Sequence, residues 1–409
     1  MLTLKENKAN NIEKAIAHLE TALKVTDRNR FPQVWAMTRH NLGEAYTGRI
    51  SGNKADNIEK AISYYEAALE IYKRNKYPEE WAGTQNSLGN AYCDRIKGNK
   101  AENIEKAISY YEAGLTVRTR NKYPEDWATS QKNLGGAYCD RIEGNKADNV
   151  EQAIACYEAV LEIYTHSDFP RKWASIQNDL GIAYSNRIKG TKAKNIEKAI
   201  SYYKAALEER SRNNFSEGLA MTQLNLGTAY EERIFGDKAE NIEQAIACYE
   251  AALEIFTHSD FPQKWADIKH NLGTTYIDRI FGDKTENIEK AISYYEAALG
   301  VTTRNDFPQK WASTQSGLGN AYYRRIEGDK PGNIEKAISY YKAALKVRTP
   351  NEYPEDWAGT QQNLGLAYNR RIKGTKAKNI EKAIVCFKAA LKIYTRNDFP
   401  QYWALTTNY

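Results

Sequence analysis

The chain has little of what usually carries chemistry. Of 409 residues, five are cysteine, five histidine and three methionine. No two cysteines form a C-x-x-C pair, so the sequence offers neither a disulfide framework nor a zinc signature, and a reducing, cytoplasmic setting fits. No apolar run approaches membrane-spanning length, and the N-terminus M-L-T-L-K-E-N-K-A-N-N has no apolar core of a signal peptide. No phosphate loop, metal box or paired-carboxylate site occurs. No cofactor, metal or catalytic residue is therefore expected, and the chain is not read as an enzyme. Charge of one sign is also lacking. The net charge of +6 over 409 residues is a mild bias, not the dense basic patch of a nucleic-acid binder.

What is there is repetition. Tryptophan returns with a step of 46 residues at Trp35, Trp81, Trp127, Trp173, Trp265, Trp311, Trp357 and Trp403, and Leu219 fills the one vacancy. A fixed period in this range marks stacked supersecondary units, which grow along one dimension and need no single closed core.

Each period reads as two helices. Helix A opens at a proline, as at Pro32, Pro78 and Pro124, where the missing N–H would be unpaired anyway. It is expected to run about five turns, to the Arg-Ile before a recurrent glycine such as Gly52 or Gly98, which suits a left-handed helix end. Helix B is expected to open at Asn57 and its repeats, with Asn as N-cap. In that copy Ile58, Ala61, Ile62, Tyr65, Leu69 and Tyr72 share one apolar face. The expectation is one solenoid over 1–409. Helix B at 11–30 comes first, then units near 32, 78, 124, 170, 216, 262, 308 and 354, and a partial unit at 400–409. That makes eighteen helices and no strand. Unit five lacks both Pro and Trp and carries Gly218 at a helix start, so an irregularity is expected over 213–219.

The core of helix A (Leu88-Gly89-Asn90-Ala91-Tyr92) and that of helix B (Ala61 to Leu69, A-x-x-x-Y-x-x-A-L) together resemble the tetratricopeptide repeat. The resemblance covers nearly the whole chain. Its extended W-A-x-T-Q-x-N-L-G style looks like bacterial arrays often fused to a caspase-like CHAT protease domain, which does not follow here. The period is longer than the family's 34 residues. The resemblance implies an all-α, right-handed solenoid of about nine hairpins. It also implies that the glycine of L-G lets A and B approach closely, and that helix A lines a concave ligand face.

Comparison among the units separates scaffold from free positions. Counted from the Leu of L-G, Gly at +1, Tyr at +4, Arg at +7, Ile at +8 and Gly at +10 never change. Positions −5, −2, +2, +5 and +9 vary and form one stripe on helix A. That stripe is the expected partner-binding surface. It carries Asn86, Asn90 and Lys132 early in the chain and turns apolar later, with Ile182, Met221, Leu224, Phe235, His270, Ile277 and Phe281. Clustered apolar groups of this kind point to a peptide-anchoring patch. The plainer alternative is an exposed face free of packing constraint, with Phe235 and Phe281 covering their own loops. The family's Lys-Asn-Arg clamp is not expected, since the unit of Lys132 has Gly136 where Asn is required.

The expected function is a protein-interaction scaffold for a protein or peptide partner. Two alternatives stay open. The invariant Arg and Lys rows could bind nucleic acid or another polyanion, although Arg95 pairing with Glu105 would make the Arg row structural. The chain could also be the regulatory arm of an enzyme domain absent from it. Nucleic acid and membrane are not the expected partners. The chain stops inside a helix A, which points to a fragment or to end-to-end self-association. His166 and His258 lie in T-H-S-D-F-P turns, and Cys93 and Cys139 read as small fillers.

Overall fold

The computed structural model describes the backbone of residues 2–212 and 216–408, and the side chains of 8–212 and 217–408. Among the described residues there are eighteen helices and no strand. The chain divides into two compact units, Met1–Phe215 and Ser216–Tyr409. The first holds α1 (Leu2–Val25), α2 (Pro32–Thr47), α3 (Lys54–Leu69), α4 (Pro78–Cys93), α5 (Lys100–Leu115), α6 (Pro124–Asp140), α7 (Lys146–Leu161), α8 (Pro170–Ser185) and α9 (Lys192–Arg212). The second holds α10 (Ser216–Glu231), α11 (Lys238–Leu253), α12 (Pro262–Asp278), α13 (Lys284–Leu299), α14 (Pro308–Arg324), α15 (Lys330–Ala344), α16 (Pro354–Arg370), α17 (Lys376–Ala390) and α18 (Pro400–Thr407). Within each unit an A helix packs on the B helix that follows it, and that B helix on the next A. Each unit is thus a stretch of α-solenoid.

The expected irregularity falls partly on residues 213–215, which lie outside the described residues. Beside them α9 runs for 21 residues, against 16 for most B helices.

Helix A starts where the prolines place it, with Pro78 at its first turn. It ends earlier than expected. α4 stops at Cys93, and Arg95 and Ile96 lie in the loop beyond. Gly98, at φ +82, does not end helix A but turns the chain into Asn99, the cap of α5. The N-cap of helix B also sits earlier. Asn53 caps α3 by accepting from the Asp56 N–H, and Asp237, Asp283 and Asp329 do the same in the second unit. The expected cap, Asn57, is buried one turn inside, where its Nδ2 donates to the Ser51 carbonyl at 2.9 Å. Likewise α1 spans Leu2–Val25 rather than 11–30.

The hairpin lock is the one the L-G motif implies. A methyl built on Gly89 would lie 2.4 Å from Cε1 of Tyr111, and the same holds for Gly43 and Tyr65. Tyr65 and Tyr111 are almost fully buried, and each such side chain contributes roughly 1.5–3 kcal/mol. The tryptophans sit over the next joint. Trp35 clusters with Ala36, Ala68 and Tyr72, while Arg28 and Arg39 stack on its ring. His166 and His258 meet Trp173 and Trp265 edge to face in the same way.

Candidate functional site

Two surfaces compete for function, the loop edge with its arginines and the stripe on helix A. At the edge, antiparallel packing puts the end of α4 beside the start of α3. Arg95 therefore reaches Glu59, not Glu105. Its Nε and Nη2 donate to the two carboxylate oxygens at 2.8 and 2.9 Å, and its Nη1 donates to Asn103 at 3.3 Å. Arg49–Glu13, Arg141–Glu105 and Arg187–Glu151 repeat the pair in the first unit. Arg279–Glu243, Arg325–Glu289 and Arg371–Glu335 repeat it in the second. The guanidinium holds the Glu59 carboxyl below the usual range and is itself raised. This fork-to-fork pair spends the arginine's best donors inside the protein. Each clamp ties one hairpin to the next.

The stripe is partly a seam between successive A helices. Asn86 and Leu224 are buried. Asn90 accepts from the Tyr111 hydroxyl at 2.7 Å and from Asn133 at 3.1 Å. Lys132 donates to Ser175 at 3.0 Å and lies 3.6 Å from Asp179. His270 packs on Tyr295 and bonds Thr314 at 3.0 Å, and burial pushes its pKa down to about 4. Ile182, in the first unit, and Met221 and Ile277, in the second, are half-buried. Phe235 and Phe281 are half exposed but stand on the loops after α10 and α12, off the helical face. The structure thus brings Met221 and Leu224 onto α10 and His270 and Ile277 onto α12.

Sequence reasoning missed a groove in each unit. In the first, a groove of about 560 Å³ runs between α2 and α4. Val34 and Met37, both about half exposed, form one wall, and Tyr72, Gly83 and Arg118 form the rest. In the second, a groove of about 380 Å³ lies along α16. Arg348, Asp356, Gly359, Tyr394 and Tyr402 line it. Arg118 and Arg348 share one repeat position, in the turn after helix B except at Arg210, which lies inside the longer α9. That position reads Thr26, Tyr72, Arg118, Tyr164, Arg210, Phe256, Thr302, Arg348 and Tyr394 down the chain. The signal was there, but outside the helix on which the comparison of units was made.

The reactive residue types are quiet. Burial raises the Cys93 thiol, and that of Cys139 to about 11, so both are thiols at neutral pH. Among the described residues no group of His, Cys, Asp or Glu is arranged to hold a metal ion. No helix among them is long and apolar enough to cross a membrane.

A family model described as "Sel1 repeat" matches seven times, at residues 37–70, 84–114, 174–210, 220–254, 270–299, 312–346 and 360–392, together more than half of the chain. Each match spans most of one A–B hairpin. No curated protein is similar in sequence. Among solved structures, the apo form of RapI is 18% identical over 76% of this chain and 97% of its own, with a TM-score of 0.51. BtubC (BKLC) from P. vanneervenii is 22% identical over 60% of this chain and 90% of its own, at 0.44. The Rap conjugation gene regulator of the plasmid pLS20, solved with a peptide, is 12% identical over 94% and 97%, at 0.47. The likeness to RapI is one of fold.

Proposed function

The chain belongs to the Sel1 repeat family, and on that premise we propose that it is a protein-interaction scaffold holding an extended peptide segment of its partner against the helix-A side. TPR-like repeats fit such a scaffold. The observation that carries the site is the groove between α2 and α4, where Val34 and Met37 stay half exposed side by side on one wall. Exposed apolar side chains gathered in a concavity mark a docking site more than the same residues scattered would. Within the first unit the stripe adds Ile182 to this side, and the second unit carries its own stripe with Met221 and Ile277. The polar members Asn86, Asn90 and Lys132 in the first unit, and His270 in the second, fix the helix-A side that a partner meets in each. Phe235 and Phe281 add apolar contacts from the loops. Leu224, buried on α10, belongs to the same stripe in the second unit.

The test is selection of peptides from a random library on the full chain, followed by affinity measurement on variants. Met37→Asp should weaken the selected peptides at least about tenfold, the usual mark of a hot spot. Ser109→Asp, at an exposed position of the B helix α5, should leave them unchanged. Peptides that bind Met37→Asp and the unaltered chain equally well would sink the groove as the docking site.

A further inference from the structure

We propose that the groove of the second unit binds a carboxylate of a peptide at the Arg348 guanidinium, in the place that its distant Asp356 fills incompletely. The peptide nature of the occupant rests on the scaffold reading, and the recognised group goes beyond it.

The arginines of the edge and of the groove differ in what they hold. In every clamp described above, the Nε/Nη2 edge is filled by both oxygens of a glutamate. Arg348 is far more buried, at 7% exposure, yet its edge is empty of carboxylate at hydrogen-bond distance. Nη1 donates to Thr360 and Nη2 to Ser313, both at 2.9 Å. Asp356 Oδ1 stands off at 3.6 Å, and Nε is buried with no partner. A buried guanidinium without a full counter-ion is costly, and burial lowers its hold on the proton.

The stack does not ask for this charge. The same turn carries Thr302 one repeat earlier and Tyr394 one repeat later, both buried. The arrangement also occurs twice. In the first unit Arg118 again lines the groove, with Nε buried and unpartnered and Asp126 at 3.6 Å. A side chain that packing does not need, placed twice in a groove with its Nε unpartnered and its nearest carboxylate held off at 3.6 Å, is short of a counter-ion that an anion would supply.

The surroundings specify the rest. Tyr394, Phe399 and Tyr402 line the groove, so an apolar residue beside the acidic one has a wall to meet. Gly359 keeps the floor low, since a methyl there would lie 3.1 Å from the Tyr394 hydroxyl. Asp356 is about half exposed and is held by Gln309. It is the internal competitor that the incoming carboxylate displaces from the neighbourhood of Nη2.

The experiment follows the side-chain Nε–H signals of ¹⁵N-arginine-labelled full chain by NMR. The Arg348 signal is the one absent from Arg348→Thr, a residue this position accepts at Thr302. The probes are acetyl-Leu-Glu-Leu-amide, acetyl-Leu-Gln-Leu-amide, and acetyl-Leu-Leu with a free carboxyl terminus. A carboxylate peptide should shift the signal saturably at millimolar concentration, and the glutamine peptide should not. A response to the glutamate peptide assigns a side-chain carboxylate as the source, and a response to the free acid alone assigns a chain terminus. Asp356→Asn should tighten binding about tenfold, the scale of one relieved close charge contact. The proposal is overturned if neither carboxylate peptide moves the signal, or if the glutamine peptide moves it equally. Should that happen while library peptides still bind at Met37, the scaffold reading stands and only this inference falls.

Discussion

The loop edge and the helix-A grooves use the same side chain in opposite ways. At the edge, Arg95 and its repeats are partly exposed, doubly bonded to a glutamate and raised in pKa. In the grooves, Arg118 and Arg348 are buried more deeply, bonded less fully and stand off from their aspartates at 3.6 Å. Among the described residues the edge arginine ties a hairpin to the next in seven clamps, each within one unit. The groove arginine appears where the stack itself is content with Thr, Tyr or Phe. What recurs in every unit serves packing, and what departs from the pattern without a packing reason is the better candidate for recognition.

The comparison is sharpest between neighbours. Gly135 recurs, and a methyl there would lie 2.8 Å from Tyr157 Cε1. Gly135→Ala should therefore destabilise by about 2 kcal/mol through overpacking, read as a lower denaturant midpoint. An unchanged midpoint would mean the hairpin lock yields easily.

Next in size is a pH effect at His270, on the variable stripe. Its folded pKa of about 4 lies below the ordinary 6.5, so the unfolded chain binds more protons between those values. Stability is full above pH 6.5 and falls as the pH drops toward 4, by up to about 1.4 kcal/mol per pH unit. Asp267 opposes this shift, whereas Arg348 and Lys310 add to it. His270→Asn, the residue at Asn86 in the same place, should remove about 2 kcal/mol of acid sensitivity between pH 7 and 5. If both proteins lose stability in parallel, the stripe is not seam at that point.

Arg95→Ala should cost about 1 kcal/mol, since the bidentate pair is only partly shielded from solvent. Its thermal midpoint should fall, and Glu59→Ala should add little further once the pair is broken. Smallest is Gly136→Ala. Its methyl would meet only the Tyr157 hydroxyl, at 3.7 Å, so helix propensity should stabilise by about 0.5–1 kcal/mol. A loss at Gly136 equal to that at Gly135 would erase the distinction between recurring and free positions.

Much of this was legible beforehand. The prolines placed every helix A but α10, the period gave eighteen helices, and the L-G motif forecast the glycine–tyrosine lock. The misreadings have one origin. Asn57 looks like a cap because Asn before an apolar run usually is one, but Asn53 is free to cap and Asn57 is held inside by the loop. Arg95 and Glu105 are close in sequence, yet the end of α4 faces the preceding helix. The stripe of Asn86 and Leu224 looks free because it varies, but a seam between repeats also tolerates variation when both sides change together.

The sequence by itself determined the helices, their count and which face of each hairpin is apolar, because those follow from local periodicity and backbone stereochemistry. Only the tertiary structure decided which charge meets which and where a guanidinium is left without a full counter-ion. Those depend on which helix ends lie side by side, and that distance is not written in any one repeat.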